Sequence, residues 1–404
     1  MDNISHSSEV GVFPAQVKLF DPSLINKATV FSTLLFIFLV PWGDSVWDGL
    51  PRVAATIALG FAFIQLLVHG THRNYTYFHF IAIMYFSWQI FSMIWSPELV
   101  RAEAIAKTIT QLIFLTLLFA LTIDNKSRLI AAYQVYVFAC IVASGIVIDS
   151  FLQGVESGYL RYGIKNLTID AVGVFLAISI PFEAYLAKYF KNIFLKTFNL
   201  IAIPFTFYAI FLTATRTAFI VGIVGLLYWV FTQRKSSFII KLLIGIVMTA
   251  GLASIIMFAP KASVDRIFTT GESITEGTLN SRSIIWGGSI EQWKESPIVG
   301  VGLGGLGNAL SREHINYADA HNSFIHLLAE TGIVGLFLFL GVHIALLFYI
   351  LHTPLDEKIF LLSLLMVIVV SQLATHLQTE KITWFIYSMI AIHSQMFAAK
   401  RRDH

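Results

Sequence analysis

The chain has 404 residues, of which 56% are hydrophobic and 13% charged, with a net charge of +3 and one cysteine. Ordinary soluble domains carry about 25% charged residues, and their interiors could not hold the 35 phenylalanines present here. The composition therefore excludes a soluble globular protein and favours helices that face lipid. Cys140, being alone, allows neither a disulfide nor a thiolate metal site. The small net charge gives no indication of nucleic-acid binding.

Apolar runs of about 20 residues, the length that crosses a bilayer, recur along the chain. They predict an all-α integral membrane protein of about twelve transmembrane helices, near residues 29–43, 50–68, 77–95, 106–123, 129–149, 171–189, 196–213, 216–232, 238–259, 326–351, 358–376 and 382–398. The predicted organisation is a tail over 1–28, nine helices over 29–259, a long loop over 260–321, three helices over 322–399 and a tail over 400–404.

The distribution of lysine and arginine predicts the orientation. With a cytoplasmic N-terminus, the cytoplasmic segments carry 15 basic residues and the opposite short loops carry 7. Because short cytoplasmic loops are enriched in Lys and Arg, we expect both termini to be cytoplasmic and the long loop to lie on the other side. The polar N-terminal tail lacks the features of a cleavable signal peptide, so the first helix is predicted to be a retained anchor.

The long loop contains an amphipathic segment. An N-cap at Asn280 predicts a helix that runs to about Glu295. Arg282, Trp286 and Trp293 share one face of that helix by their spacing, and tryptophan prefers the lipid headgroup layer. Two interpretations stay open for Arg282: contact with a lipid-linked phosphate, or the charged end of an interfacial anchor.

A glycine-rich stretch follows, from Gly300 to Gly307, with a G-x-G-x-x-G match from Gly302. A dinucleotide site needs this motif between a strand and a helix, and the surrounding apolar runs supply no strand. We therefore interpret the glycines as positions where the backbone turns tightly and approaches a helix or a ligand closely.

His321 stands at the start of the next predicted helix, with Asn322 and Ser323 as candidate caps. A helix start offers free N–H groups and favours a nearby anion. A histidine at this position can have either a structural or a catalytic role, and the residues alone leave both open. The sequence has no H-E-x-x-H, D-x-D, G-x-S-x-G or P-loop motif. We therefore expect a reaction that uses no metal, no cofactor and no nucleotide hydrolysis.

Four strings resemble the O-antigen ligase and polymerase family of bacterial envelope glycosyltransferases. They occur in the family's order, and the string from Glu330 to Leu336 is the most recognisable part. The strings are Thr215-Arg216-Thr217-Ala218, Asn280 to Trp286, Ser296 to Gly304, and His321 to Gly332.

The resemblance implies an inner-membrane enzyme that transfers a polysaccharide from an undecaprenyl diphosphate carrier to an acceptor hydroxyl in the periplasm. In the ligases, the acceptor is a sugar of lipid A–core. The family's two functional arginines fall on Arg216 and Arg282, which we predict to be catalytic and substrate-binding, and its functional histidine falls on His321, the predicted general base. Arg161 matches another basic position more loosely, and both Arg161 and Asn322 are predicted to bind substrate.

These residue types suit that chemistry. A diphosphate is a good leaving group whose developing charge arginine can stabilise through two parallel hydrogen bonds. A neutral imidazole can accept the proton of the attacking hydroxyl. We expect a single displacement with inversion at the anomeric carbon.

Three alternatives remain. The first is an O-antigen polymerase of the same family, which would extend the lipid-linked chain. The second is a transporter or lipid flippase, but such proteins place binding groups near the bilayer midplane, often within repeated halves, and no repeat is obvious here. The third is a structural scaffold, which would leave Arg216, Arg282 and His321 without a function.

Overall fold

The computed structural model describes residues 22–69, 75–157, 161–232, 257, 260–268, 282–312 and 319–398. All regular structure in these ranges is helical. The α-helices are α1 (Pro22–Leu39), α2 (Leu50–His69), α3 (Tyr77–Phe91), α4 (Leu99–Thr122), α5 (Lys126–Leu152), α6 (Ile169–Tyr189), α7 (Ile193–Leu212), α8 (Arg216–Thr232), α9 (Lys261–Phe268), α10 (Arg282–Glu295), α11 (Leu306–Arg312), α12 (Ser323–Leu351), α13 (Leu355–Gln372) and α14 (Lys381–Ala398).

Eleven of the twelve predicted helices have a counterpart among these. The prediction over 238–259 lies outside the described residues apart from residue 257, as does the N-cap predicted at Asn280. In the segment predicted as one loop with one helix, the described part contains α9, α10 and α11. The sequence missed α9 and α11 because helices of 8 and 7 residues are too short to show a clear apolar period.

Seven of the described helices are long and apolar enough to cross a membrane. They are α2, α3 with the 3-10 turn that follows it, α4, α5, α6, α7 and α12. The protein is therefore a multi-pass helical membrane protein, and a total of twelve spans stays a prediction.

The centre of the bundle is α6. Every residue from Val172 to Ala187 is buried, and α6 contacts α5, α7, α8 and α13. A helix that is apolar on all sides fits such a central position. The acid within this buried stretch, Glu183, accepts hydrogen bonds from Ser179 (2.8 Å) and Thr206 (2.9 Å).

The helix α12 is broken at Gly332, where φ is 66° and the backbone is not helical. In an unbroken helix, the carbonyl group of each residue accepts the N–H of the residue one turn later. Around the break, the segment 297–302 replaces that missing turn with its own main chain. Four hydrogen bonds do this: Val301 N–H to Ala329 O (3.0 Å), Gly302 N–H to Glu330 O (2.8 Å), Ile333 N–H to Pro297 O (3.0 Å) and Val334 N–H to Ile298 O (3.4 Å).

This exchange needs glycine on both sides. A Cβ on Gly300 would lie 2.4 Å from the Glu330 carbonyl, and one on Gly332 would lie 2.1 Å from the Ile298 oxygen. Both distances are too short for any side chain, and both glycines have positive φ. The glycine-rich stretch therefore lets the backbone approach a helix closely, which is one of the two possibilities inferred from the sequence.

Candidate functional site

The first part of the candidate site is an arginine-centred network at the starts of α6 and α8. The Arg161 guanidinium forms an ion pair with Asp170, donates to the Thr213 carbonyl from Nε (2.9 Å) and donates to Thr215 Oγ1 from Nη2 (2.8 Å). Thr215 in turn donates to Asp170 (3.2 Å). Arg161 thus ties the start of α6 to the short turn between α7 and α8.

That turn is shaped for close packing and ends at Arg216. Ala214 has φ 47°, which reverses the chain within three residues before Arg216 opens α8. The α6 backbone approaches the turn at Gly173, where an added Cβ would lie 2.8 Å from Thr213 Oγ1 and 2.9 Å from the Ala218 Cβ. The position of Arg216 therefore depends on Arg161 and on the absence of a side chain at Gly173.

Arg282 lies at the first turn of α10 and is partly buried. Burial lowers its pKa below the ordinary value for arginine, and among the nearby charges Asp170 raises it, Arg216 lowers it and Asp319 raises it. These charges act on Arg282 because the starts of α6, α8 and α10 come close to the segment before α12. We call this end of the bundle the site end.

The helix α10 is fastened to the segment that carries His321. The indole N–H of Trp286 donates to the carbonyl of Ala320 (2.8 Å), while that of Trp293 donates to the carbonyl of Pro297 (3.0 Å). The first bond joins α10 to the residue before His321, and the second is a local bond at the C-terminal end of α10. Trp286, predicted as an interfacial anchor, thus also connects the helix of Arg282 to the histidine side of the site.

His321 immediately precedes α12 in a left-handed conformation with φ 46°. Its backbone N–H donates to Asp319 Oδ1 (2.8 Å), and its ring Nδ1 lies 3.4 Å from the same oxygen. The side chain is 42% exposed. The imidazole therefore has one nitrogen next to a carboxylate, and a large part of the ring is accessible.

Asp319 is the functional candidate that sequence reasoning missed. Burial alone would raise its pKa, but the charge and the backbone N–H of His321, with smaller effects of His376 and His326, lower it below the ordinary value for aspartate. The sequence does show Asp319 two residues before His321, but an Asp-x-His spacing is too common to predict a contact between the two side chains. The left-handed backbone at His321, which brings them together, is visible only in the structure.

Asn322 is the N-cap of α12. Its Oδ1 accepts the N–H groups of Phe324 (3.0 Å) and Ile325 (3.1 Å), and its Nδ2 donates to the Leu373 carbonyl (3.0 Å). The cap predicted at this position is confirmed. Because both polar atoms of the amide have protein partners, substrate binding by Asn322 remains a prediction that would require rearrangement.

Behind Asp319 lies a buried cluster around Glu330. His326 Nε2 is 3.2 Å from Glu330 Oε2, and the His326 ring packs edge-on against His376 with a centroid distance of 4.0 Å. Burial and the neighbouring His326 lower the pKa of His376 to about 3. Glu330 also accepts the N–H of Leu306 (3.3 Å), so this cluster joins the glycine-rich stretch to α12.

The site end thus gathers Arg161, Arg216, Arg282 and His321 from four segments that are far apart in sequence, with Asp170 and Asp319 among them. Within the ranges described above, no group of three His, Cys, Asp or Glu side chains is arranged to hold a metal ion. The arrangement offers fixed positive charge for a phosphate next to an imidazole that can accept a proton.

These features define a class of protein: a helical, multi-pass membrane protein with a basic, histidine-containing site at one end of the helix bundle. Residues 201–340 match the family model described as O-antigen ligase. The match spans 140 of the 404 residues. It supports a member of the O-antigen ligase family with an activity of the ligase or polymerase type. A comparison with curated proteins gives no match.

Proposed function

We propose that this protein is an O-antigen ligase, which transfers O-polysaccharide from undecaprenyl diphosphate to a sugar hydroxyl of lipid A–core. The observation that carries the proposal is the convergence of Arg216, Arg282 and His321 at the site end. Arg282 lies close enough to Asp170, Arg216 and Asp319 for their charges to act on it, and Asp319 in turn interacts with His321. The family match supports the reaction type but covers both ligases and polymerases.

In this proposal Arg216 and Arg282 hold the donor diphosphate. Each guanidinium can form two parallel hydrogen bonds with a phosphate and keeps its charge at every physiological pH. As the bond between the anomeric carbon and the diphosphate oxygen breaks, its electron pair leaves with the diphosphate. The two arginines stabilise that added charge, which appears only as the reaction proceeds.

His321 acts as the general base. The acceptor hydroxyl oxygen attacks the anomeric carbon from the face opposite the diphosphate, and the hydroxyl proton passes to the imidazole. One displacement gives inversion of the anomeric configuration. Arg161 has the separate task of positioning Arg216, because its described contacts are with Asp170, Thr213 and Thr215.

The site end faces the periplasm in this proposal, and both chain termini are cytoplasmic in the bacterial inner membrane. The support is the excess of Lys and Arg in the loops at the opposite end. A lipid-linked donor and a lipid-anchored acceptor then both reach the site from the outer leaflet of that membrane.

The experiment uses the native host from which this gene has been deleted. We expect its lipopolysaccharide to run as core without O-antigen, with polymer accumulating on the undecaprenyl carrier. The wild-type gene should restore the ladder and His321→Ala should not. His352→Ala is the matched control, since this exposed histidine follows the other end of α12 and its loss should leave the ladder intact.

Other gel patterns would contradict the ligase assignment. A core carrying one repeat unit would identify a polymerase, and an unchanged ladder would indicate a different acceptor or a transport function. Restoration of the ladder by His321→Ala would leave the ligase assignment in place and remove His321 as the base. Immunoblots of the membrane fraction must show equal amounts of each variant.

A further inference from the structure

We propose that Asp319 is the positioning residue for His321, holding the ring so that Nδ1 carries its proton towards the carboxylate and Nε2 faces the acceptor hydroxyl. The inference rests on the proposed function, which makes His321 the base. Its structural basis is that one oxygen, Asp319 Oδ1, accepts the His321 backbone N–H at 2.8 Å and lies 3.4 Å from its Nδ1.

The proximity of Nδ1 to the Asp319 carboxylate favours one tautomer. A carboxylate only accepts hydrogen bonds, whereas a neutral imidazole has one donor and one acceptor nitrogen. With Nδ1 beside Asp319, the N–H belongs on Nδ1, and the lone pair that can take a proton is on Nε2. The left-handed backbone at His321, with φ 46°, folds the chain back so that both contacts reach the same oxygen.

The carboxylate also offsets the positive charge of the site. The imidazolium that forms when His321 takes the acceptor proton adds a positive charge to a site end that already holds arginines, and a carboxylate beside the ring compensates that charge. Asp319 acts on Arg282 as well as on His321. It therefore lies where its negative charge can stabilise the imidazolium without itself being protonated.

Other ionisable groups surround this pair. His326 and Glu330 come from α12, His376 from the connection between α13 and α14, and Arg282 from α10. The charge of Arg101, on α4, acts on His376. Among the charged groups of the described residues, Asp319 lies within ion-pair distance of the His321 ring, so its removal should dominate any change in the behaviour of that ring.

The decisive variant is Asp319→Asn. An asparagine oxygen can still accept the His321 backbone N–H, so the local turn is kept while the charge is lost. Asp265→Asn is the matched control, because Asp265 is an exposed acid on α9. Size-exclusion profiles and thermal stability of the purified full-length proteins establish that the variants are folded.

The first readout needs no substrate. Diethylpyrocarbonate modifies neutral imidazole, and peptide mass spectrometry measures the modification of His321 as a function of pH. We expect the curve of Asp319→Asn to move to lower pH, because the carboxylate no longer favours the protonated ring. Coincident curves for wild type and Asp319→Asn would overturn the inference, whatever reaction the protein catalyses.

The second readout is transfer from the lipid-linked donor to lipid A–core. We expect Asp319→Asn to lower kcat by about 10²-fold, the contribution typical of a positioned base, with KM for the donor nearly unchanged. An equal loss of donor binding would point to a structural role and would also overturn the inference. A wild-type protein without transfer activity contradicts the proposed function instead, and the modification curves still decide the role of Asp319.

Discussion

Two regions near the site end are held together by different kinds of contact. Around Arg161, side chains with opposite charge and hydroxyl groups tie α6 to the turn before Arg216. Around Gly332, main-chain groups of the segment 297–302 complete a broken helix, and the close contact leaves no room for a Cβ. The first region positions a charge and the second maintains the fold, so substitutions should separate activity from stability.

The largest effect is expected from Gly332→Ala. The new Cβ would lie 2.1 Å from the Ile298 oxygen and would require a positive φ of 66°, so we expect a loss of stability above about 3 kcal/mol. Fluorescence-detected size-exclusion and the apparent Tm in detergent measure this. Gly341→Ala is the control on the same helix, because its nearest contact is an ordinary 3.4 Å to Ile81. Equal stability of the two variants would show that the exchange at Gly332 is dispensable.

In the charged region, Arg161→Gln should change activity far more than stability. Loss of the bonds to Asp170 and Thr215 releases the turn that carries Arg216, and we expect transfer to fall by roughly 10- to 100-fold, since small misplacements of a catalytic group are that costly. Arg128→Gln is the control, because Arg128 makes similar contacts with Asp124 and the Thr122 carbonyl.

Each variant is assayed for ladder formation in the deletion strain and for Tm. If Arg161→Gln destabilises the protein as much as Gly332→Ala does, the distinction between the two regions fails.

The Gly173→Ala substitution tests whether the charged region around Arg161 also depends on close packing of the backbone. Its Cβ would lie 2.8 Å from Thr213 Oγ1 and 2.9 Å from the Ala218 Cβ, contacts with side chains that can shift a little. We expect a loss of about 1–3 kcal/mol, smaller than at Gly332, together with reduced transfer. Gly60→Ala, with open space around it, should match wild type in both assays. A Gly173→Ala protein as stable and active as wild type would mean that the turn before Arg216 adapts freely.

The smallest effect concerns pH in the region of the broken helix. The pKa of His376 is lowered to about 3 in the folded protein, against about 6.5 in an unfolded chain. Between these values the unfolded chain binds more protons, so this histidine makes stability fall as the pH is lowered through that window.

His376→Asn should therefore lose less Tm than wild type between pH 7 and pH 5, by a few degrees. His352→Gln, which changes an exposed histidine outside the site end, should follow the wild-type curve. Parallel curves for wild type and His376→Asn would show that another group carries the acid sensitivity of this region.

The sequence alone determined where helices form and which residues to examine. Apolar runs depend only on neighbouring residues, so eleven of the twelve predicted helices have counterparts in the structure. Most bounds agree within a few residues, but α1 and α4 begin at Pro22 and Leu99, ahead of the predicted 29 and 106. The short strings around Arg216, Arg282 and His321 identified the family, which the match over residues 201–340 supports. The N-cap at Asn322 was also predictable from the sequence, because a capping side chain bonds to the N–H groups of the next few residues.

Only the tertiary structure showed which of these segments contact one another. The strings around Gly300 and Gly332 are about thirty residues apart in the printed sequence, and nothing local shows that each supplies the hydrogen bonds that the other lacks. The partners of Arg161 come from α6 and from the turn after α7. Such contacts follow from how helices pack, which depends on shape and charge over the whole bundle and is not encoded in any one segment.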